Sequence, residues 1–316
     1  MRVYTHPSCL RHNPGEGHPE CPQRLSAVLD AVRAAFPRTD WIQAPAATRQ
    51  QLARVHSAAM IDRVLEPGHA FPRRLDADTV MSVDSADAAL HACGAAVAAV
   101  DAVLAGVVTD GDVRQAFCAV RPPGHHATAT QPMGFCLFNA VAVAAAHALD
   151  AHGLSRVAIL DFDVHHGNGS QDIFADDPRV LYLSSHEWPL YPGTGAAGDT
   201  GAGNIVNAPL SPGAGSEAFR AAWSGTLLPA LDAFAPALLL VSAGFDGHRL
   251  DPLADLQLVA DDYAWLGTQV AQRAAVPARG RIVSLLEGGY SLSALAECSV
   301  AWLAALEQGA RVSNPA

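Results

Sequence analysis

Lysine is absent from the 316 residues; all twenty basic side chains are arginine. With alanine so abundant, this reads as a compositional bias and not as a functional device. Charge is sparse altogether, at 16% of residues, while half the chain is hydrophobic, enough to bury a substantial core. Acids outnumber bases, 31 to 20, for a formal charge of −11. A surface of that sign repels phosphate backbones, so nucleic acid is not expected as a direct partner; cationic peptides or polyamines suit it better. The six cysteines (Cys9, Cys21, Cys93, Cys118, Cys136 and Cys298) form no CxxC pair. A thiolate metal cluster is therefore unsupported, and free thiols in a reducing compartment are expected. The apolar runs look too short and interrupted to span a bilayer, and "MRVYTHPSCL" has no apolar signal-peptide core, so a cytoplasmic location and no membrane partner are expected. Linkers, internal repeats and composition breaks are also lacking, which predicts a single domain over 1–316.

What is present is an alternation of short apolar runs and alanine-rich stretches. The runs at 115–120, 156–162, 179–185, 237–243 and 281–287 read as buried parallel strands. Residues 85–106, 139–153, 216–234 and 291–308 read as helices, the first two stopping at Gly106 and Gly153. This pattern predicts an α/β domain with a mostly parallel central sheet.

The polar residues cluster at the strand ends. "RPPGHHA" follows "FCAV", "DFDVHHGNG" follows "VAIL", "FDGHRLDP" follows "LLLVSAG", and "GGY" follows "IVSLLE". Open α/β sheets bind ligands at the carboxyl ends of their strands, so the four segments are expected to share one pocket. In an extended segment alternate residues share a face, so Asp163 and His165 can point at one ion. Asp246 would complete an Asp-His-Asp set that leaves a position open, as in a catalytic zinc site. The same ligands also suit Fe(II) or Mn(II). Burying these charges without an ion or partner would cost several kcal/mol each.

His125 and His126 follow a rigid Pro-Pro-Gly turn, and imidazole can both accept and return a proton near neutral pH. Asp161 can accept a bond from one imidazole and fix its tautomer; Asn168 can do so for the other without adding charge. Gly288 and Gly289 let the backbone approach a ligand, and Tyr290 just beyond them can donate its hydroxyl to a developing oxyanion. Gly134 and Phe135 stand close behind the histidines, where a ring beside a flexible glycine could line a narrow channel.

Together these residues resemble the histone deacetylase superfamily, in its bacterial class II-like branch of deacetylase-like amidohydrolases and acetylpolyamine amidohydrolases. The resemblance covers nearly the whole chain, from "HNPGEGHPECPQR" through "DADTVMS", "RPPGHHA", "GFCLFN", "DFDVHHGNG" and "SAGFDGHRLDP" to "EGGY". It implies an arginase/deacetylase-like three-layer α/β/α fold. It implies one zinc ion held by Asp163, His165 and Asp246, with His125 and His126 as the acid/base pair and Tyr290 as oxyanion donor. Phe135 becomes a channel wall, and Asp78 a rim residue gripping the substrate. "SHEWPLYPGTG" resembles the substrate-facing segment, with Trp188, Pro189 and Tyr191 at the channel mouth. A structural potassium site is implied at Asp161 and Ser184, and homo-oligomers occur among the bacterial relatives.

Asn168 stands where many class I members carry Asp. Leu253 occupies the position at which a polyamine-selective vertebrate relative has Glu, which weakens a polyamine specialisation of that type. A dimanganese ureohydrolase would want acids at the positions of Gly167 and His248 and is disfavoured. The expected substrate is an acylated amine, acetyl-lysine first and acetylpolyamines or other small amides second; a silent acyl-ligand-binding protein is a third reading.

Overall fold

The computed structural model describes residues 1–66, 70–105 and 113–312, with side chains up to residue 309. Ten strands occur among them: β1 (Arg2–Thr5), β2 (Asp40–Gln43), β3 (Arg73–Arg74), β4 (Val80–Met81), β5 (Gln115–Cys118), β6 (Val157–Asp161), β7 (Val180–Glu187), β8 (Ile205–Leu210), β9 (Leu238–Ala243) and β10 (Ile282–Leu286). Eight of them form one parallel sheet in the order β2-β1-β5-β10-β9-β6-β7-β8; β3 and β4 make a small antiparallel pair.

The five expected strands are β5, β6, β7, β9 and β10. Each is buried at every residue. A strand covered on both faces reads as a continuous apolar run, which is why these five were legible. The three unexpected members lie at the margins of the sheet. β2 is half-exposed, and β8 contains a proline and is only partly buried. Neither gives an unbroken apolar run. The architecture is α/β with helices on a parallel sheet, as expected.

The helices differ in detail. Ser85–Leu104 carries alanine, valine and cysteine inward against the core; its expected stop at Gly106 lies outside the described residues. At 20 residues with mean hydropathy 1.5, it is long and apolar enough to cross a bilayer, contrary to the expectation that no run would be. Most of it is instead buried within the protein. Ala140–Asp150 ends three residues before Gly153, whose φ of 67° breaks the helix geometry. The expected helix over 216–234 is interrupted: Ser216–Ala222 and Leu228–Phe234 flank a π-helical turn at Trp223–Leu227. Pro229 has no N–H for the regular ladder, so the turn before it widens. The last helix, Leu292–Val312, runs past the expected end at 308.

In a parallel sheet all carboxyl ends fall on one edge. The adjacent strands β5, β10, β9 and β6 therefore deliver "RPPGHHA", "EGGY", "GFDGH" and "DFDVHHGNG" side by side.

Candidate active site

Asp163 and Asp246 are fully buried and His165 nearly so, and one donor atom from each lies within 4.8 Å of the others. The first two follow β6 in a bent segment where His165 N–H donates to Asp163 Oδ1 at 2.9 Å; the third follows β9, two residues beyond Gly244. His165 Nδ1 stands 3.3 Å from Asp163 Oδ1 and 3.1 Å from Asp246 Oδ2. Backbone donors hold the carboxylates. Gly288 N–H donates to Asp163 Oδ2 at 2.7 Å and Val164 N–H to Asp246 Oδ1 at 2.8 Å. Gly288 has to be glycine: a Cβ there would lie 2.0 Å from Asp246 Oδ2 and 2.6 Å from Asp163 Oδ2. Gly289, with φ of 117°, then turns the chain toward Tyr290.

The electrostatics show what the cluster lacks. Burial and the Asp163 charge push the Asp246 carboxyl up to about 7. Burial opposes the charged form of His165 too, but Asp163 and Asp246 outweigh it and raise the imidazole to about 10. Two buried carboxylates thus compete for positive charge that only protonated imidazole supplies. A divalent cation among the same three donors would satisfy both, and two carboxylate oxygens with one imidazole nitrogen fit zinc.

His125 and His126 leave β5 through cis-linked Pro122, Pro123 and Gly124, and their ring centroids are 4.0 Å apart. Their partners differ. His125 Nδ1 donates to Asp161 Oδ2 at 3.1 Å, and its Nε2 lies 3.8 Å from Asp163 Oδ2. Burial works against a charge on His125, but Asp163 and Asp161 prevail and raise it to about 10. His126 Nδ1 donates to the neutral Asn168 Oδ1 at 2.8 Å. Burial, with His125 and His165 nearby, pushes His126 well below its ordinary range. One ring is held toward the charged form and the other neutral, with Nε2 free to accept a proton.

A cavity of about 240 Å³ opens onto His126 and His165. Phe135, Leu190, Tyr191 and Leu253 give it apolar walls, and Asp78, Gly134 and Tyr290 complete the lining. Phe135 has φ of 67°, uncommon for a bulky residue, and its N–H donates to Thr79 Oγ1 at 3.0 Å. Tyr290 is fixed through its N–H to Asp251 Oδ2 at 2.7 Å and by the Arg24 guanidinium 4.8 Å over its ring. Burial raises the phenol well above its ordinary range, against the opposing pull of Arg24, so it keeps its proton.

The expected metal and catalytic residues thus meet at one sheet edge; of the expected channel residues, Trp188, Pro189, Gly288 and Gly289 are not among those lining the cavity. Trp188 does not line the cavity; its backbone N–H pairs with Leu210 O, and Leu190 takes the wall position. Trp188 and Tyr191 are each followed by a proline, so strand alternation does not continue through this loop and the face presented to the cavity could not be read from spacing. Ser184 pairs with Asp161 in the register of β7 against β6, and its hydroxyl bonds to His186 Nδ1 at 2.9 Å.

Several functional neighbours were missed. Glu287 Oε2 accepts from the N–H groups of Gly124 and His125, tying β10 to the histidine loop. Arg24 donates to Gly289 O and Glu287 O, both at 2.5 Å, and its carboxylate partner Glu20 also binds Arg121. The first signal was present in "EGGY" as an acid within an apolar run. The second was not legible, because Glu20, Arg24 and Arg121 meet only in the folded chain.

A family model describing the histone deacetylase domain matches residues 18–306. The chain belongs to the histone deacetylase family. Histone deacetylase 14, chloroplastic, of Arabidopsis thaliana is 38% identical, covering 93% of this chain and 73% of that protein. The histone deacetylase-like amidohydrolase of Pseudomonas aeruginosa is 40% identical, over 90% of this chain and 76% of its own. The mouse polyamine deacetylase HDAC10 is 41% identical, over 88% of this chain and 43% of its own. The crystal structure of the HDA15 HD domain superposes with a TM-score of 0.90 at 35% identity, covering 100% of this chain and 89% of that one. Membership of the histone deacetylase family makes this chain a hydrolase of amide bonds with the deacetylase fold.

Proposed function

We propose that the protein is a zinc-dependent deacetylase that removes acyl groups, acetyl first, from the side-chain amine of lysine or from similar primary amines. The observation that carries this reading is the convergence of Asp163, His165 and Asp246 beneath a narrow apolar cavity that also presents His126 and Tyr290. Zinc, when bound there, supplies a Lewis acid for the amide carbonyl and lowers the pKa of a water molecule.

The chain's own residues do the rest. His126 accepts a proton at Nε2, because its Nδ1–H is committed to Asn168. His125, kept toward the charged form by Asp161, stabilises negative charge as it builds and shares in returning the proton to the departing amine. Tyr290 donates its hydroxyl to the former carbonyl oxygen. Phe135, Tyr191, Leu190 and Leu253 enclose an unbranched aliphatic stem and keep bulk water from it. Asp78, half-buried beside them, serves the substrate's backbone or amine at the rim.

The likeness to a polyamine deacetylase and the formal charge of −11 favour a second substrate class, the acetylpolyamines. An apolar Leu253 on the cavity wall weighs for acetyl-lysine. Competing an acetyl-lysine peptide with acetylputrescine in one reaction separates the two: a much larger kcat/KM for the amine would replace acetyl-lysine as the substrate. Metal-loaded protein that turns over no member of an acyl-amide panel would refute the reading as an enzyme.

We also propose a potassium ion beside Asp161 and Ser184, a single catalytic domain over 1–316, a cytoplasmic location and self-association into a homo-oligomer. Metal analysis, limited proteolysis, cell fractionation and sedimentation test these in turn.

A further inference from the structure

Asp161 ends β6 fully buried, and its Oδ2 has two side-chain donors. One is His125 Nδ1 at 3.1 Å; the other is the hydroxyl of Tyr182 on the neighbouring strand β7, also at 3.1 Å. Asp161 Oδ1 takes the Asp163 N–H at 3.2 Å. Tyr182 is paired with Ile159 in the parallel register, two residues before the Asp161–Ser184 pair, so its long side chain reaches up the sheet to the carboxylate. The loop after His166 closes the corner. A Cβ at Gly167 would lie 2.2 Å from Asp161 Oδ2, 2.6 Å from Tyr182 Oη and 3.1 Å from His125 Nδ1. Only a residue without a side chain leaves those three groups in contact. Burial and the neighbouring Asp161 charge push the phenol well above its ordinary range, so Tyr182 remains a donor.

We propose that Tyr182 is a positioning residue: by donating to the carboxylate oxygen that His125 also uses, it fixes Asp161 and, through it, the orientation of His125. The proposal rests on the reading of His125 as one of the proton-transfer pair. Tyr182 is wholly buried and lies outside the cavity lining, so it has no route to the substrate except through this pair. Without its hydroxyl, Asp161 Oδ2 keeps one side-chain donor and the carboxylate gains freedom to turn. The His125 ring then loses its fixed direction. Binding of the amide should be untouched, while the chemical step slows.

The test uses the metal-loaded enzyme and Tyr182→Phe, which keeps the ring and removes one oxygen. Expected is a fall in kcat of about tenfold, the scale of one hydrogen bond, with KM changed by less than about twofold. In a His125→Ala background the same substitution should lower the residual rate by less than about twofold, because its effect passes through His125. The deshielded proton on His125 Nδ1, assigned in 1H NMR spectra by its disappearance in His125→Ala, should move in Tyr182→Phe. That signal is read in the cold, so the test survives a loss of thermal stability. Unchanged kcat in Tyr182→Phe, an equal loss in both backgrounds, or an unmoved proton would each overturn the positioning role. Full turnover by His125→Ala would instead overturn the acid/base reading beneath it, a failure visible before Tyr182 is touched.

Discussion

Replacing Tyr290 by Phe removes one oxygen and leaves the supports of the ring in place. The backbone N–H still donates to Asp251 Oδ2 at 2.7 Å, and Arg24 still covers the ring at 4.8 Å. The fold and the zinc donors should therefore be unaffected. What is lost is a hydroxyl that burial keeps protonated beside the reacting carbonyl. An ordinary net hydrogen bond is worth about 1 kcal/mol, whereas a donor aimed at a developing oxyanion is worth roughly 2.7–4 kcal/mol. Tyr290 faces the open cavity, which favours the lower figure and a loss of about a hundredfold in kcat. A fluorogenic acetyl-lysine amide, assayed with metal content and melting temperature checked on the same samples, gives kcat and KM separately. The loss should fall on kcat, since the oxyanion develops only after the substrate is bound. A decrease of less than about threefold, or a loss confined to KM, would refute the role given to Tyr290.

Gly288→Ala would drive a Cβ into Asp246 Oδ2 and Asp163 Oδ2, so zinc stoichiometry by mass spectrometry should fall well below that of the parent; full retention would contradict the packing described. Glu20→Gln leaves Arg24 and Arg121 buried without their shared carboxylate, and unfolding in urea should show a loss of about 3–5 kcal/mol. His56 is buried, donates to Thr128 O at 3.0 Å and accepts from Asn139 N–H at 2.9 Å; burial lowers its pKa to about 4. It is neutral in the fold and protonates first in the unfolded chain, so its contribution is complete above about pH 6.5 and is lost as pH falls toward 4. The stability gap between the parent and His56→Gln should shrink across that window by up to about 3 kcal/mol; a gap that stays constant with pH would contradict the assignment.

The sequence carried the centre of this protein better than its margins, for a physical reason. A strand buried on both faces has to be apolar throughout, so β5, β6, β7, β9 and β10 announced themselves, and the polar residues breaking each run marked the functional edge. Half-exposed β2 and proline-containing β8 have mixed neighbours and gave no such run. At the site, Asp163 and His165 were legible as an alternating pair on one segment. Glu287 showed only as an acid in an apolar run; Tyr182 and Arg24 were not legible, because each acts on a residue 21 or more positions away through contacts that only the folded chain creates. Leu190, not Trp188, lines the cavity: Trp188 still pairs with the end of β8 through its N–H to Leu210 O, and Leu190 lies in the loop beyond.

Everything proposed for this site depends on Asp163, His165 and Asp246 holding one catalytic cation. Anomalous diffraction at the zinc edge, on crystals of protein grown with zinc, tests it in a single measurement. One strong peak is expected at about 2.0–2.2 Å from a carboxylate oxygen of Asp163, a ring nitrogen of His165 and a carboxylate oxygen of Asp246. No peak among those three side chains, or a peak bound by other residues, would contradict it.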